Sequence, residues 1–137
     1  GAVALHGKLY VCGGFGGQAR HGSVEVFDPS ASECGCWTML RPMLEPRISP
    51  AAVALQGKIY ICGGRSTSFL SSAERFDPDH GEWEALGPMS ARRGAAAAAV
   101  LDGKLYICGG HDGAEFRRSV ERLDPVSGSW ELLPPMR

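Results

Sequence analysis

The side chains able to do chemistry in this chain are few and scattered. His6, His21, His80 and His111 fall in different turns and loops. Of the five cysteines, Cys12, Cys62 and Cys108 stand inside apolar runs, and only Cys34-Gly35-Cys36 brings two thiols close together. Two thiols fall short of the four ligands a structural zinc site takes. No H-E-x-x-H, G-x-x-x-x-G-K-[ST] or G-x-S-x-G occurs, so the signatures of zinc peptidases, P-loop enzymes and elbow hydrolases are missing. We therefore expect no enzyme: no catalytic residue, no metal ligand and no cofactor is assigned.

The charge balance narrows the partners. Lys and Arg number 14 against 15 Asp and Glu, so no field steers the chain toward nucleic acid or an anionic membrane. The longest apolar run, Ala95 to Leu101, is too short to span a bilayer. No signal peptide is visible, and free thiols suit a reducing compartment, so a cytoplasmic location is expected.

What positions these residues is a repeat. Leu9-Tyr10-Val11-Cys12-Gly13-Gly14 returns as Ile59-Tyr60-Ile61-Cys62-Gly63-Gly64 and as Leu105-Tyr106-Ile107-Cys108-Gly109-Gly110. Tyr and β-branched residues suit a packed strand. A glycine pair lets the backbone turn through positive φ or pass close to a neighbour. Asp-Pro at 28, 77 and 124, Trp37, Trp83 and Trp130, and Pro-Met at 42, 88 and 135 keep the same order. Equivalent residues lie 46–50 positions apart, a period that signals an array, a solenoid or a propeller.

In its second unit the pattern reads Arg47, then Gly57-Lys58-Ile59-Tyr60-Ile61-Cys62-Gly63-Gly64, then Ser72-Ala73-Glu74-Arg75-Phe76-Asp77-Pro78, then Trp83 and Pro88-Met89. This resembles the Kelch-repeat family, and nearly the whole chain is covered. Gly109-Gly110-His111-Asp112-Gly113, Ser119-Val120-Glu121 and Asp124-Pro125 look most like the Kelch-like (BTB-Kelch) proteins. The resemblance implies an all-β Kelch-type β-propeller of three four-stranded blades, half of a six-bladed ring. It divides residues 1–137 into blades 1–46, 47–92 and 93–137.

Within each unit the strands a to d follow from the punctuation. His6-Gly7, Gln56-Gly57 and Asp102-Gly103 are a–b turns, Asp-Gly being a favoured hairpin pair. Strand b is expected to stop at Gly13-Gly14 and its equivalents, and strand c at Asp-Pro. Ala95 to Ala99 would be a helix by propensity. The repeat instead aligns it with strand a, where blades converge and small side chains fit. The c–d turn of the first unit is longer, nine residues from Asp28 to Trp37 against six in the other two.

The periodic residues are expected to be structural. Trp37, Trp83 and Trp130, with Tyr10, Tyr60 and Tyr106, should form blade core. Arg47 and Arg93, with Glu25, Glu74 and Glu121, suggest an ion pair within or between blades. The b–c loops differ from one another and carry Phe and Arg, a hot-spot composition. Together with the d–a connections they should form a partner-binding rim of Phe15, Gln18, Arg20, Arg65, Ser66, Phe69, His111, Asp112, Phe116, Arg117 and Ser49.

The expected function is a protein–protein interaction module, with a protein or peptide at this rim. The resemblance further implies the substrate-recognition part of a cullin-type ubiquitin ligase adaptor. Actin binding is a variant of that class, and a galactose-oxidase-like enzyme or metal-dependent specifier is the alternative. Three blades cannot close a ring, so either further blades of a parent chain or a second copy should meet the open edges.

Overall fold

The computed structural model describes residues 1–17 and 20–137; Gln18 and Ala19 lie outside the described residues, and so does the side chain of Arg20. The first sheet holds β1 (Ala2–Leu5), β2 (Lys8–Phe15), β3 (Arg20–Asp28) and β4 (Cys36–Leu40). The second holds β5 (Ala51–Leu55), β6 (Lys58–Cys62), β7 (Ala73–Asp77) and β8 (Glu82–Leu86). The third holds β9 (Ala97–Leu101), β10 (Lys104–Cys108), β11 (Val120–Leu123) and β12 (Trp130–Leu133). Every sheet keeps chain order and is antiparallel throughout, so each is one blade. Among the described residues there is no helix, and none long and apolar enough to cross a membrane.

The a–b turns have positive φ at both central residues: 50° and 74° at His6-Gly7, 51° and 75° at Gln56-Gly57, 49° and 70° at Asp102-Gly103. That is the twist-matched two-residue hairpin, which sets the register of strands a and b. At the same end, Lys8–Asp28 and Lys104–Asp124 each meet at 2.9 Å, and Lys58 bonds Asp77. These lysines tie the start of strand b to the end of strand c. The Ser30 hydroxyl and Lys8 hold the Asp28 carboxyl down at about 2. Lys104 and the Val126 and Ser127 amides do the same for Asp124, also to about 2.

The alanine run forms strand a, two residues later than expected. β9 begins at Ala97, which pairs with Cys108, while Ala95 precedes it at φ 52°. Tertiary pairing overrides the helix propensity of alanine. Blade 1 departs from the repeat at its glycine pair. β2 runs through Gly13 and Gly14 to Phe15, with a bulge between Cys12 and Gly14, and pairs with a β3 that already starts at Arg20. Here the glycines bend a strand rather than end it.

Strand alternation sends successive side chains to opposite faces of a blade. Tyr10, Cys12, Val24 and Met43 face blade 2, which answers with Ile59, Ile61 and Phe76. Tyr60, Cys62, Ala73 and Met89 face blade 3, which answers with Leu105, Ile107 and Leu123. The core is thus two seams between blades. Complete burial of one such Ile or Leu is worth about 1.5–3 kcal/mol.

The seams also settle the thiols. Burial pushes Cys12 up to about 11 and Cys62 up to about 12, whereas Cys34 and Cys36 are exposed. The thiolate is the reactive form. An alkylating reagent at pH 8 is therefore expected to label Cys34 and Cys36 rapidly in the native protein, and Cys12 and Cys62 only after denaturation. Peptide mapping reads this directly; native labelling of Cys62 at the rate of Cys34 would contradict the buried seam.

Candidate functional site

Each seam is clamped by one buried arginine. Arg47 and Arg93 are 2% and 0% exposed. Arg47 Nε donates to Glu74 Oε1 at 2.7 Å, and its Nη1 donates to the Gly63 and Ser72 carbonyls. Arg93 Nε and Nη2 donate to Glu121 Oε1 at 3.1 and 3.0 Å, and Nη1 donates to the Gly109 and Ser119 carbonyls. The second carboxylate oxygen accepts a backbone amide from the same connection, Leu44 N on Glu74 and Ser90 N on Glu121. The arginine carbonyls in turn accept Gly14 N at 2.9 Å and Gly64 N at 2.7 Å, in the preceding blade. One residue so holds the b strand of one blade and the b and c strands of the next.

The expected pair is therefore found at Glu74 and Glu121 but not at Glu25. Glu25 is exposed and makes no ion pair among the described residues, where no blade lies behind blade 1 to bring an arginine to it. Trp37 is corrected for the same reason. Trp83 Nε1 donates to the Arg41 carbonyl at 2.9 Å and Trp130 Nε1 to the Gly87 carbonyl at 2.8 Å, each reaching back to the preceding blade. Trp37 has no such blade among the described residues and stays 49% exposed, its ring tilted against Phe27 with centroids 5.2 Å apart. Tyr10 and Tyr60 are core, while Tyr106 is half-buried on the outer face of blade 3.

The clamps place the rim. Just after each arginine, Ile48 pairs with Arg65 and Gly94 with His111 as isolated antiparallel bridges. The d–a connections are thereby fastened to the b–c loops. Ser49 and Ala95 sit there at φ 49° and 52°, a left-handed conformation that costs non-glycine residues energy and clusters at functional sites. Between the loops lies an open depression of about 400 Å³, lined by Ile48, Ser49, Arg65, Phe69, Gly94, Ala95, His111 and Phe116.

Its side chains form a ladder. The Arg65 guanidinium lies 5.7 Å from the Phe69 ring centre. Phe69 and His111 centroids are 5.4 Å apart, and His111 and Phe116 meet edge-on at 4.8 Å. Gly113 N donates to His111 Nδ1 at 2.9 Å, so a neutral His111 carries its proton on Nε2. Phe69 can lie across the seam because position 94 is glycine: a Cβ there would come within 2.7 Å of the ring. Phe116 is 85% exposed.

Of the expected rim residues, Ser49, Arg65, Phe69, His111 and Phe116 converge on this depression. Asp112 and Arg117 bond each other, and Asp112 Oδ1 also accepts the Ala114 and Glu115 amides. Those amides, with Arg117, hold the Asp112 carboxyl well below the usual carboxylate range. The pair braces its own loop. Ser66 turns back on its own loop, its backbone N–H donating to the Ser68 carbonyl. Phe15 is exposed at the end of β2, away from the depression, and Gln18 and the Arg20 side chain fall outside the described residues. Ile48 and Gly94 line the site but were not expected. Their only signal in the sequence is the place directly after the buried arginine.

Among the described residues, no three His, Cys, Asp or Glu side chains gather as a metal-ligating group. On the opposite end, Lys58, Arg75, Asp77, His80, Glu82, Trp83 and Glu84 line a more polar hollow, in which Lys58 and His80 meet Asp77 and Arg75 meets Glu84.

Comparison with known proteins agrees with this architecture. The Kelch motif matches residues 1–44, 46–90 and 92–137. A solved structure titled "Structure of YjhT" is 16% identical and superposes with a TM-score of 0.82, over 98% of this chain and 50% of that one. A fungal alcohol oxidase of the AA5 family, solved in complex with copper, is 21% identical with a TM-score of 0.78, over 99% of this chain and 31% of the oxidase. The chain thus spans half of one similar structure and about a third of the other, and at these identities the likeness is one of fold. With three motif matches end to end and three meander blades in sequence, the chain belongs to the Kelch-repeat family and is an all-β propeller segment.

Proposed function

We propose that this chain is a protein-interaction module that receives a peptide at its b–c rim, as the substrate-recognition part of a cullin-type ubiquitin ligase adaptor. The observation that carries the reading is the depression headed by Phe116, an aromatic ring 85% exposed on a backbone pinned by the Arg93 clamp. An exposed aromatic beside a cation, on a preorganised scaffold, is the composition of an interface hot spot. Phe69, His111 and Phe116 offer ring surface to an aliphatic or aromatic side chain. Arg65 has no carboxylate partner among the described residues, which leaves it for an acidic neighbour on the same peptide. Kelch propellers generally bind proteins, and the adaptor role rests on the likeness to BTB-Kelch sequences.

Selection of a displayed peptide library on the chain, followed by titration of the winners, tests the rim. Phe116→Ala and Arg65→Ala are each expected to weaken the selected peptide about 10–30-fold, the loss typical of a hot-spot side chain. The melting temperature should stay unchanged, because both side chains face solvent. Equal affinity in both variants would place the partner site elsewhere. A galactose-oxidase-like enzyme is the competing reading, and stoichiometric copper in the purified protein would favour it.

A further inference from the structure

We propose that Cys34 and Cys36 form a reversible dithiol–disulfide couple, which closes across Gly35 by exchange with a low-molecular-weight disulfide of the glutathione type. The couple sits in the c–d turn of blade 1, at the end opposite the rim, so the inference stands whether or not the rim takes a peptide.

The thiols fall into two environments. Cys12 and Cys62 are buried in the seams and Cys108 is half-buried in strand b, whereas Cys34 and Cys36 are exposed. By register Cys36 stands on the front face of its blade, since it pairs with Asp28 as Thr38 pairs with Val26 and Leu40 with Val24. Val24, Val26 and Leu40 already pack into the seam with blade 2 on that face. The exposure of Cys36 therefore does not depend on what stands behind blade 1.

The turn sets the geometry of the couple. Gly35, Gly81 and Gly128 each stand two residues before the tryptophan of their blade, at φ 76°, 67° and 70°. The Gly35 backbone is held in place: its N–H donates to the Ser32 carbonyl at 3.1 Å, and its carbonyl accepts the Ser32 hydroxyl at 2.9 Å. A Cβ at position 35 would come within 2.2 Å of the Phe27 ring, so this backbone lies directly against the ring. The residues flanking the glycine are His80 and Glu82 in blade 2 and Ser127 and Ser129 in blade 3. In blade 3 the two hydroxyl oxygens lie 2.6 Å apart. Serine differs from cysteine only in carrying oxygen in place of sulfur, so a glycine in this conformation lets the two flanking γ atoms meet. A soft metal ion held in line between two thiolates would instead keep the sulfurs about 4.6 Å apart, twice a metal–sulfur bond of about 2.3 Å. The turn therefore favours a bond between the sulfurs.

The exchange is a two-electron step. One cysteine thiolate attacks a sulfur of the small disulfide and expels a small thiolate, which leaves a mixed disulfide. The second cysteine thiolate attacks the sulfur of the first, the mixed S–S bond breaks, and the other small thiolate leaves. Two cysteine thiols are oxidised, one small disulfide is reduced, and the two protons end on the two released thiols. A ring closed over a single intervening residue is strained, and strained, exposed disulfides are readily reduced. The couple therefore opens again when the surrounding thiol pool is reducing.

Incubation of the reduced protein with glutathione disulfide, followed by acid quench and peptide mass mapping, tests this. The wild-type peptide carrying both residues is expected to lose two hydrogens, and to regain them in excess reduced glutathione. Cys34→Ser and Cys36→Ser are each expected to stop at the mixed disulfide and to retain about 10-fold more glutathione than the wild type, because a tethered thiol acts at millimolar effective concentration or above. Both side chains are exposed, so the melting temperature of either variant should match the wild type. A wild type that holds one glutathione on each cysteine overturns the proposal, as does one that links these residues only to a second chain. So does a pair that stays reduced under the same excess of glutathione disulfide.

Discussion

Arg93→Met is expected to lower the melting temperature by on the order of 10 °C or more, corresponding to about 3–5 kcal/mol lost from a buried ion pair that keeps one charge. The Glu121 carboxylate would stay 1% exposed with no guanidinium beside it. The Gly109 and Ser119 carbonyls would lose their donor in the same step. Methionine fills much of the arginine's volume, so the loss reports the charge and its hydrogen bonds rather than a cavity. The companion Arg93→Met with Glu121→Leu is expected to recover a large part of the deficit, since a buried pair replaced by apolar residues is often near neutral. Thermal unfolding followed by circular dichroism decides between the outcomes. An unchanged melting temperature in the single variant would mean that the seam does not depend on the clamp.

Gly63→Ala is expected to be comparably damaging, for steric reasons. Gly63 has φ 63°, and a Cβ there would stand 2.1 Å from the Arg93 carbonyl oxygen. That oxygen cannot retreat, because it accepts the Gly64 amide at 2.7 Å within the clamp. The methyl group would push blades 2 and 3 apart at the centre of their seam. The equivalent Gly109 makes the control. Its φ is 66°, but its Cβ would meet the Arg117 carbonyl and the Met136 methyl only at 3.3 Å, and no further blade stands in front of it among the described residues. Gly109→Ala should therefore cost about 1 kcal/mol, the penalty of the left-handed conformation alone. Chemical denaturation of the two variants side by side measures the difference. Equal losses would show that backbone conformation, and not the approach of the next blade, demands glycine there.

Both predictions rest on the same fact: the residues that repeat do so because each blade is stabilised by its neighbour. The equivalence of Arg47 with Arg93 and of Glu74 with Glu121 was legible from spacing, and so was their pairing. Whether the bond fell inside a blade or across a seam was not. Glu25 and Trp37 carry the same sequence signature as their equivalents, yet they sit in solvent. A repeat period identifies a position within its unit, whereas burial depends on whether another unit lies against it.

The rim divides in the same way. In the sequence, the variability of the b–c loops and their Phe and Arg content points to Arg65, Phe69, His111 and Phe116. Asp112 and Arg117 have the same composition signal, but their side chains face each other and stiffen the loop. Ile48 and Gly94 gave no signal of their own, since an isoleucine and a glycine in a connection read as spacer.

By itself the sequence determined the all-β class, the three meander blades, the a–b turns and the identity of the clamp residues. Those follow from alternation, turn chemistry and periodicity, all of which act over a few residues. Only the tertiary structure decided which blade faces are closed, which loop residues point outward, and that the glycine pair of blade 1 continues its strand. The closure of the blade faces depends on contacts between residues far apart in sequence, as in Trp83 with Arg41 and Trp130 with Gly87. Local preference cannot encode that closure, because the free energy that selects it comes from burial against a neighbouring blade.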